Sequence, residues 1–203
     1  MHVLSKAFPQ WPSFSIHESS PGWDLVSQRL QKESKEYVAS QFDMDKPLGT
    51  LVTETRLPCG RYYVEDLERQ TFEDARFDLV VTQDVFEHIF DPRKAIAEIA
   101  RTLKISGATI MSVPVIRKFR PSIRRAEMID GSVRHILPAE YHGSPVNSSR
   151  ALVTVDWGYD IASILQEASS LHFVVFNIDD LTRGIRDECN EIVVGFKTKQ
   201  TGI

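Results

Sequence analysis

The chain has 203 residues, 42% hydrophobic and 26% charged, which suits one globular domain with a sizeable core and excludes a disordered chain. With 24 Lys+Arg against 28 Asp+Glu the net charge is −4, so no positive field is available for unspecific nucleic-acid binding. Two cysteines, Cys59 and Cys189, exclude a disulfide-dense scaffold and a four-cysteine zinc site. The apolar runs are strand-sized, and MHVLSKAFPQWP lacks the apolar core of a signal peptide. A soluble protein in the cytoplasm, with no membrane or nucleic-acid partner, is the expectation; the oligomeric state is not legible.

In chain order, SFSIHESSPG reads as a strand and a turn. DLVSQRLQKESKEY reads as a helix burying Leu25, Val26 and Leu30, YVASQF as a second strand and RYYVEDL as a short third. The clearest unit follows. FDLVVTQ is a β-branched strand, and Asp91 and Pro92 suit the N-cap and first position of a helix. Ile96, Ile99, Ala100 and Leu103 give that helix one apolar stripe, and Gly107 is expected to end it in a left-handed conformation. ATIMSVPV is the next strand. Residues 116–158 fit neither period, and a connection that long is usually functional. Asp160 is expected to cap a last helix through Ile161, Ile164, Leu165 and Ala168, before two closing strands, HFVVFNI and EIVVGFK. Apolar runs alternating with helical ones predict an α/β domain with a mainly parallel sheet.

Residues 77–115 resemble the fourth-to-fifth-strand region of class I S-adenosylmethionine-dependent methyltransferases. They carry Phe77-Asp78, Glu87-His88, Asp91-Pro92 and Leu103-Lys104, with Ser106-Gly107 where the family has Gly-Gly. The resemblance implies a Rossmann-like, seven-stranded, mostly parallel sheet flanked by helices, with an antiparallel closing strand. It implies a single domain over residues 1–203, with 116–158 as a substrate-covering insertion between the fifth strand and the next helix. It also implies S-adenosylmethionine as cofactor. The adenine amino group would meet Asp66, beside Leu67, and the ribose would meet Gln41, which stands where the family has an acid. The methionine end would lie against Glu18, Ser19, Ser20 and Gly22, a His-Glu-Ser-Ser-Pro turn in place of the Gly-rich loop. Gln83 would touch the methionine carboxylate or the substrate.

The expected activity is methyl transfer to a small hydroxylated or glycan-like acceptor. The alternative is a non-catalytic binding or scaffolding protein on a decayed methyltransferase fold. A neutral hydroxyl must lose its proton as the methyl arrives, and an imidazole titrates in the right range. His142 is the first candidate base, next to Gly143 and Pro145; His135 is second and His88 third. Asp78 is expected to be structural. Arg117, Arg120, Arg124 and Arg125 are a solvated face or an attraction for an anionic substrate. Asp84, Glu87 and His88 are three potential ligands on one turn, as in some O-methyltransferases with an acidic-x-x-Glu-His pattern, but no metal is expected.

Overall fold

Short β-branched runs separated by capped helical stretches decide the element order. The computed structural model describes residues 1–54, 57, 59–143 and 150–199. Helix α1 (His2–Ala7) precedes β1 (Ser15–Ser19), α2 (Leu25–Glu33), β2 (Glu36–Gln41), β3 (Leu51–Thr53), β4 (Arg61–Val64) and β5 (Phe77–Gln83). After a short 3-10 turn, Phe86–His88, come α3 (Pro92–Thr102) and β6 (Leu103–Ser112). The chain closes with α4 (Ile161–Glu167), β13 (Leu171–Asn177) and β14 (Glu191–Lys197), after six short strands between β6 and α4. Those are β7 (Ile123–Arg124), β8 (Ala126–Ile129), β9 (Ser132–His135), β10 (Tyr141–Gly143), β11 (Arg150–Leu152) and β12 (Val155–Asp156).

The main sheet has the order β13-β14-β6-β5-β1-β2-β4-β3. Strands β4, β2, β1, β5 and β6 are parallel, and β14 runs antiparallel between β6 and β13. The expected seven strands become eight, because β3 adds antiparallel to the outer edge of β4. Three residues with only Val52 turned inward are too short to give a period in the sequence. Helices α1 and α2 cover one face, where Leu4, Trp11 and Leu30 pack on Ile16, Leu79 and Val194. Helices α3 and α4 cover the other, with Ile96, Ile99, Ile161 and Leu165 against Phe77, Val80 and Met111. Each fully buried aliphatic side chain there contributes about 1.5–3 kcal/mol.

Local chemistry agrees with the expected cap at α3, adds one at α2 and corrects details elsewhere. Asp24 accepts from the N–H groups of Val26 and Ser27 at the start of α2, and Asp91 from that of Lys94 at α3. Leu25, expected to be buried, is 74% exposed; Ser27 takes the inward position instead because its hydroxyl serves the buried Glu18. Asp160 does not cap α4. Its carboxylate accepts from the backbone and hydroxyl of Ser122, tying residues 116–158 to that helix. Gly107 does not end α3. The chain passes directly into β6 at Leu103, and the left-handed residue is Ser106, at φ 69°. Gly107 answers a different need, since a Cβ there would lie 2.9 Å from the Lys104 carbonyl oxygen and 3.0 Å from that of Asp78. Asp78 accepts from Ser15 N and Lys104 Nζ, each at 2.8 Å, and so fixes the start of β1 against β5.

The described residues of the 116–158 segment form three small antiparallel ribbons: β7 with β12, β8 with β9, and β10 with β11. Their two- to four-residue strands are the reason no period was visible. Thr154 anchors the segment to the turn after β5, donating from its N–H to the Glu87 carbonyl (2.7 Å) and from its hydroxyl to that of Ile89 (2.7 Å). Arg125 pairs with Asp156 at 2.7 Å and Glu140 at 3.1 Å, and Arg124 donates to the Phe90 carbonyl, so these two arginines hold the insertion together. Pro145 lies outside the described residues.

Candidate active site

The sheet order reverses between β1 and β5, and in an open α/β sheet that crevice, beyond the carboxyl ends of the strands, is where ligands bind. Glu18 stands at the end of β1 with no exposed surface. Its Oε1 accepts from Ser27 Oγ (2.7 Å) and Gln83 Nε2 (2.9 Å), and its Oε2 from the Tyr37 hydroxyl (2.6 Å). Burial pushes its carboxyl up and these donors pull it down; the Tyr37 hydroxyl is held well above its ordinary range by burial and then by the Glu18 charge. With three donors from the fold on its two oxygens, Glu18 positions the turn and Gln83.

The turn itself bends at Ser20, at φ 56°, whose N–H donates to the Ser40 carbonyl at 2.8 Å. Ser19 is buried, and the Gly22 N–H donates to Ser27 Oγ at 3.3 Å. Gln41, buried at the end of β2, reaches the Pro21 carbonyl at 3.5 Å. Past β4, Asp66 accepts from the Glu68 N–H (2.9 Å) and Arg69 Nε (3.0 Å), while Leu67 is buried in the core. Glu18, Gln83 and the turn are thus joined; Gln41 and Asp66 follow on neighbouring strand ends.

A second group of polar side chains gathers beyond β5. Glu87 is 2% exposed, and neither of its oxygens has a hydrogen-bond partner among the described residues. Two imidazoles face the same Oε1, His88 Nε2 at 3.6 Å and His142 Nδ1 at 3.8 Å, and their rings meet edge to face. Desolvation pushes the Glu87 carboxyl up to about 8, and Asp84 adds to this. Desolvation likewise lowers His88, whose Nδ1 donates to the Leu152 carbonyl at 2.9 Å. His142 comes from β10, where it lies opposite Ala151 of β11. Asp84 turns elsewhere, accepting from Ser112 Oγ at 3.0 Å. His135 is exposed on the β8–β9 ribbon and is not part of the cluster. A separate apolar cavity of about 260 Å³ lies under α1 and α2, with Gln83 at its edge; neither Asp66 nor the cluster lines it.

Residues 20–111 match the family model of a methyltransferase domain. Among solved structures, an S-adenosylmethionine-dependent methyltransferase from Mesorhizobium loti is similar at TM-score 0.60 and 11% identity, over 96% of this chain and 96% of that one. The PH0226 protein of Pyrococcus horikoshii is similar at TM-score 0.59 and 16% identity, over 98% and 87% of the two chains. The fold is that of the class I S-adenosylmethionine-dependent methyltransferases. An uncharacterized 37.1 kDa protein in a Streptomyces fradiae transposon is 23% identical over 109 residues, 54% of this chain and 32% of that protein. The aligned stretch thus spans about a third of that relative's length.

The family model matched by residues 20–111 implies S-adenosylmethionine as cofactor, and the strand ends carry polar side chains of a kind that would hold it. The left-handed Ser20 gives the backbone bend that a glycine would give. The Asp66 carboxylate retains accepting capacity for an amino group. Two contributors escaped the sequence reading. Phe42 follows Gln41 and is 61% exposed, an aromatic face beside that strand end. The Glu87–His142 contact joins residues far apart in sequence, and only the ribbon anchored by Thr154 brings them together.

Proposed function

We propose that the chain transfers a methyl group from S-adenosylmethionine to an oxygen of a small hydroxylated or glycan-like acceptor. Bound S-adenosylmethionine supplies a methyl group on a sulfonium, whose carbon–sulfur electron pair stays on sulfur as the carbon moves to oxygen. Asp66, Leu67 and Gln41 hold its adenosine part, and Ser19 to Gly22 its methionine part, with Glu18 and Gln83 bracing the turn. The acceptor oxygen sits against Glu87, His88 and His142, which assist the loss of its proton; His142, with its side chain 40% exposed, is the member that meets the acceptor. Residues 116–158 cover that acceptor. The observation that carries the reading is the placement of the cluster just after β5, at the same sheet end as the Glu18–Gln83 turn. The free cysteines, Cys59 buried and Cys189 exposed, suit a reducing compartment such as the cytoplasm.

Calorimetric titration with S-adenosylhomocysteine tests the cofactor half. Asp66→Ala should weaken binding by about 1–3 kcal/mol as a buried hydrogen bond is lost; unchanged affinity would remove Asp66 from the adenine site. One observation favours a second reading, a binding protein on this fold: the Glu18 carboxylate already accepts three hydrogen bonds from within the fold. That reading prevails if the wild type takes no S-adenosylhomocysteine at millimolar concentration.

A further inference from the structure

We infer that Glu87, His88 and His142 hold a divalent metal ion of the zinc or cobalt(II) kind. One ligand atom from each lies within 4.8 Å of the others. Ligands around a tetrahedral zinc-sized ion stand about 3.3 Å apart at ordinary bond lengths. The 3.6 and 3.8 Å from Glu87 Oε1 to the two imidazole nitrogens close to that with small side-chain movements.

Two independent features point to an ion rather than to a chance gathering. The first is His88. A carbonyl only accepts, so the bond to Leu152 places the proton on Nδ1 and leaves the Nε2 lone pair aimed at Glu87. A backbone acceptor behind the ligating ring is the usual way a metal-bound histidine is oriented. The second is Glu87, whose two oxygens are buried without a donor among the described residues. Buried polar groups are otherwise nearly always paired, and a bound cation supplies the missing partner. The cluster is also braced from behind, since Thr154 holds the Glu87 carbonyl with both its N–H and its hydroxyl.

The ligand set selects the ion. Two imidazoles and one carboxylate suit zinc, cobalt, iron or manganese, whereas magnesium and calcium prefer oxygen donors throughout. The set differs from the Asp84, Glu87 and His88 trio on one turn, since Asp84 is bonded to Ser112 and His142 replaces it from the insertion. Three protein ligands leave a position open. Given the methyl-transfer reading on which this role rests, that position takes the acceptor hydroxyl, whose proton then passes to solvent water past His142. His142 is in that case a ligand and not the base.

The test uses the full chain, freed of metal with a chelator and titrated with Co²⁺ alone while visible absorption is followed. One equivalent should bind and be displaced by Zn²⁺. Glu87→Gln and His142→Ala should each weaken the titration by about 100-fold or more, and His172→Ala, on the exposed edge of β13, should leave it unchanged. Absence of Co²⁺ binding to a wild type shown folded by circular dichroism overturns the inference, as does wild-type affinity in His142→Ala. If Glu87→Gln does not fold, His142→Ala decides. S-adenosylhomocysteine calorimetry on the same metal-free sample separates the two ideas. Cobalt without S-adenosylhomocysteine leaves the metal site standing and removes methyl transfer. S-adenosylhomocysteine without cobalt removes the metal and returns His142 to the role of base.

Discussion

Two glutamates follow neighbouring strands at the same end of the sheet, both buried, with opposite surroundings. Glu18 accepts hydrogen bonds at both oxygens, from Ser27, Tyr37 and Gln83, all supplied by the fold. Glu87 has none among the described residues, only two imidazoles just beyond hydrogen-bond reach. Burial raises the carboxyl of each. A buried acid whose bonds are complete organises its neighbourhood; one left incomplete is arranged for a partner that the polypeptide does not contain. On the proposed methyl-transfer reading, the first would brace the turn under the cofactor and the second would meet the acceptor.

The comparison is most exposed at His142. If the Glu87 cluster serves the acceptor, His142→Ala should lower the single-turnover methyl-transfer rate by roughly 10²–10⁴ while S-adenosylhomocysteine affinity stays intact. A full rate in that variant would separate the cluster from the chemistry. Stability gives the next largest contrast. Glu18→Ala strands three donors and should cost about 2–4 kcal/mol in urea unfolding. Glu87→Gln, in the presence of a chelator at neutral pH, should be at least as stable as wild type, because no side-chain bond is lost and the cost of burying a carboxyl raised to about 8 is removed. Equal losses in the two variants would mean that Glu87 is as integral to the fold as Glu18.

Strand β5, helix α3 and three residues of its stripe, Ile96, Ile99 and Ala100, were legible because each signal is local: a β-branched run, Asp91-Pro92, and apolar residues at helical spacing; Leu103, expected as the fourth, opens β6 instead. The reading failed where a residue answers to something distant. Ser27 displaces Leu25 from the buried face because Glu18 needs its hydroxyl. Ser106 takes the left-handed turn while Gly107 is held by the carbonyl of Asp78 on the neighbouring strand. The ribbons of residues 123–156 are too short to show a period of two. For the same reason Glu87 and His88 could be noticed as a pair on one turn, but their meeting with His142 could not, and His135 stood as the second candidate base behind it. Only β10 pairing with β11, and Thr154 bonding to the turn, tell the two histidines apart.

A third buried titratable group sharpens the contrast from the other face of β1. His17 has no exposed surface, lies among Phe72 and Phe77, and bonds Ser40 Oγ through Nε2 at 2.8 Å. Desolvation, and then the Arg76 guanidinium lying over those two aromatic rings, depress its pKa to about 3. The unfolded chain takes a proton there below its ordinary value, about 6.5, and the folded chain does not. Stability from this group is therefore complete above that value and is lost as pH falls toward 3, by at most about 1.4 kcal/mol per pH unit. Urea midpoints at pH 7, 6, 5 and 4 should fall less steeply in His17→Gln than in wild type. Parallel profiles would show that other groups set the acid limit.

The smallest expected effect concerns Ser20, which belongs to the satisfied side of the comparison by its backbone and to the unsatisfied side by its hydroxyl. Its N–H is bonded to the Ser40 carbonyl, but Oγ makes no hydrogen bond among the described residues. At φ 56° a serine carries a Cβ where glycine would be unstrained. Ser20→Gly should therefore stabilise the fold by about 0.5–1 kcal/mol, the relief of strain being partly offset by the greater freedom of glycine in the unfolded chain. If the hydroxyl is kept for the cofactor, the same variant should bind S-adenosylhomocysteine several-fold more weakly, the equivalent of one neutral hydrogen bond of about 0.5–1.5 kcal/mol. Urea unfolding and calorimetry on one preparation read both numbers. Stability and affinity rising together would make Ser20 a strained substitute for glycine, and the ligand-directed role of the turn would then rest on its backbone alone.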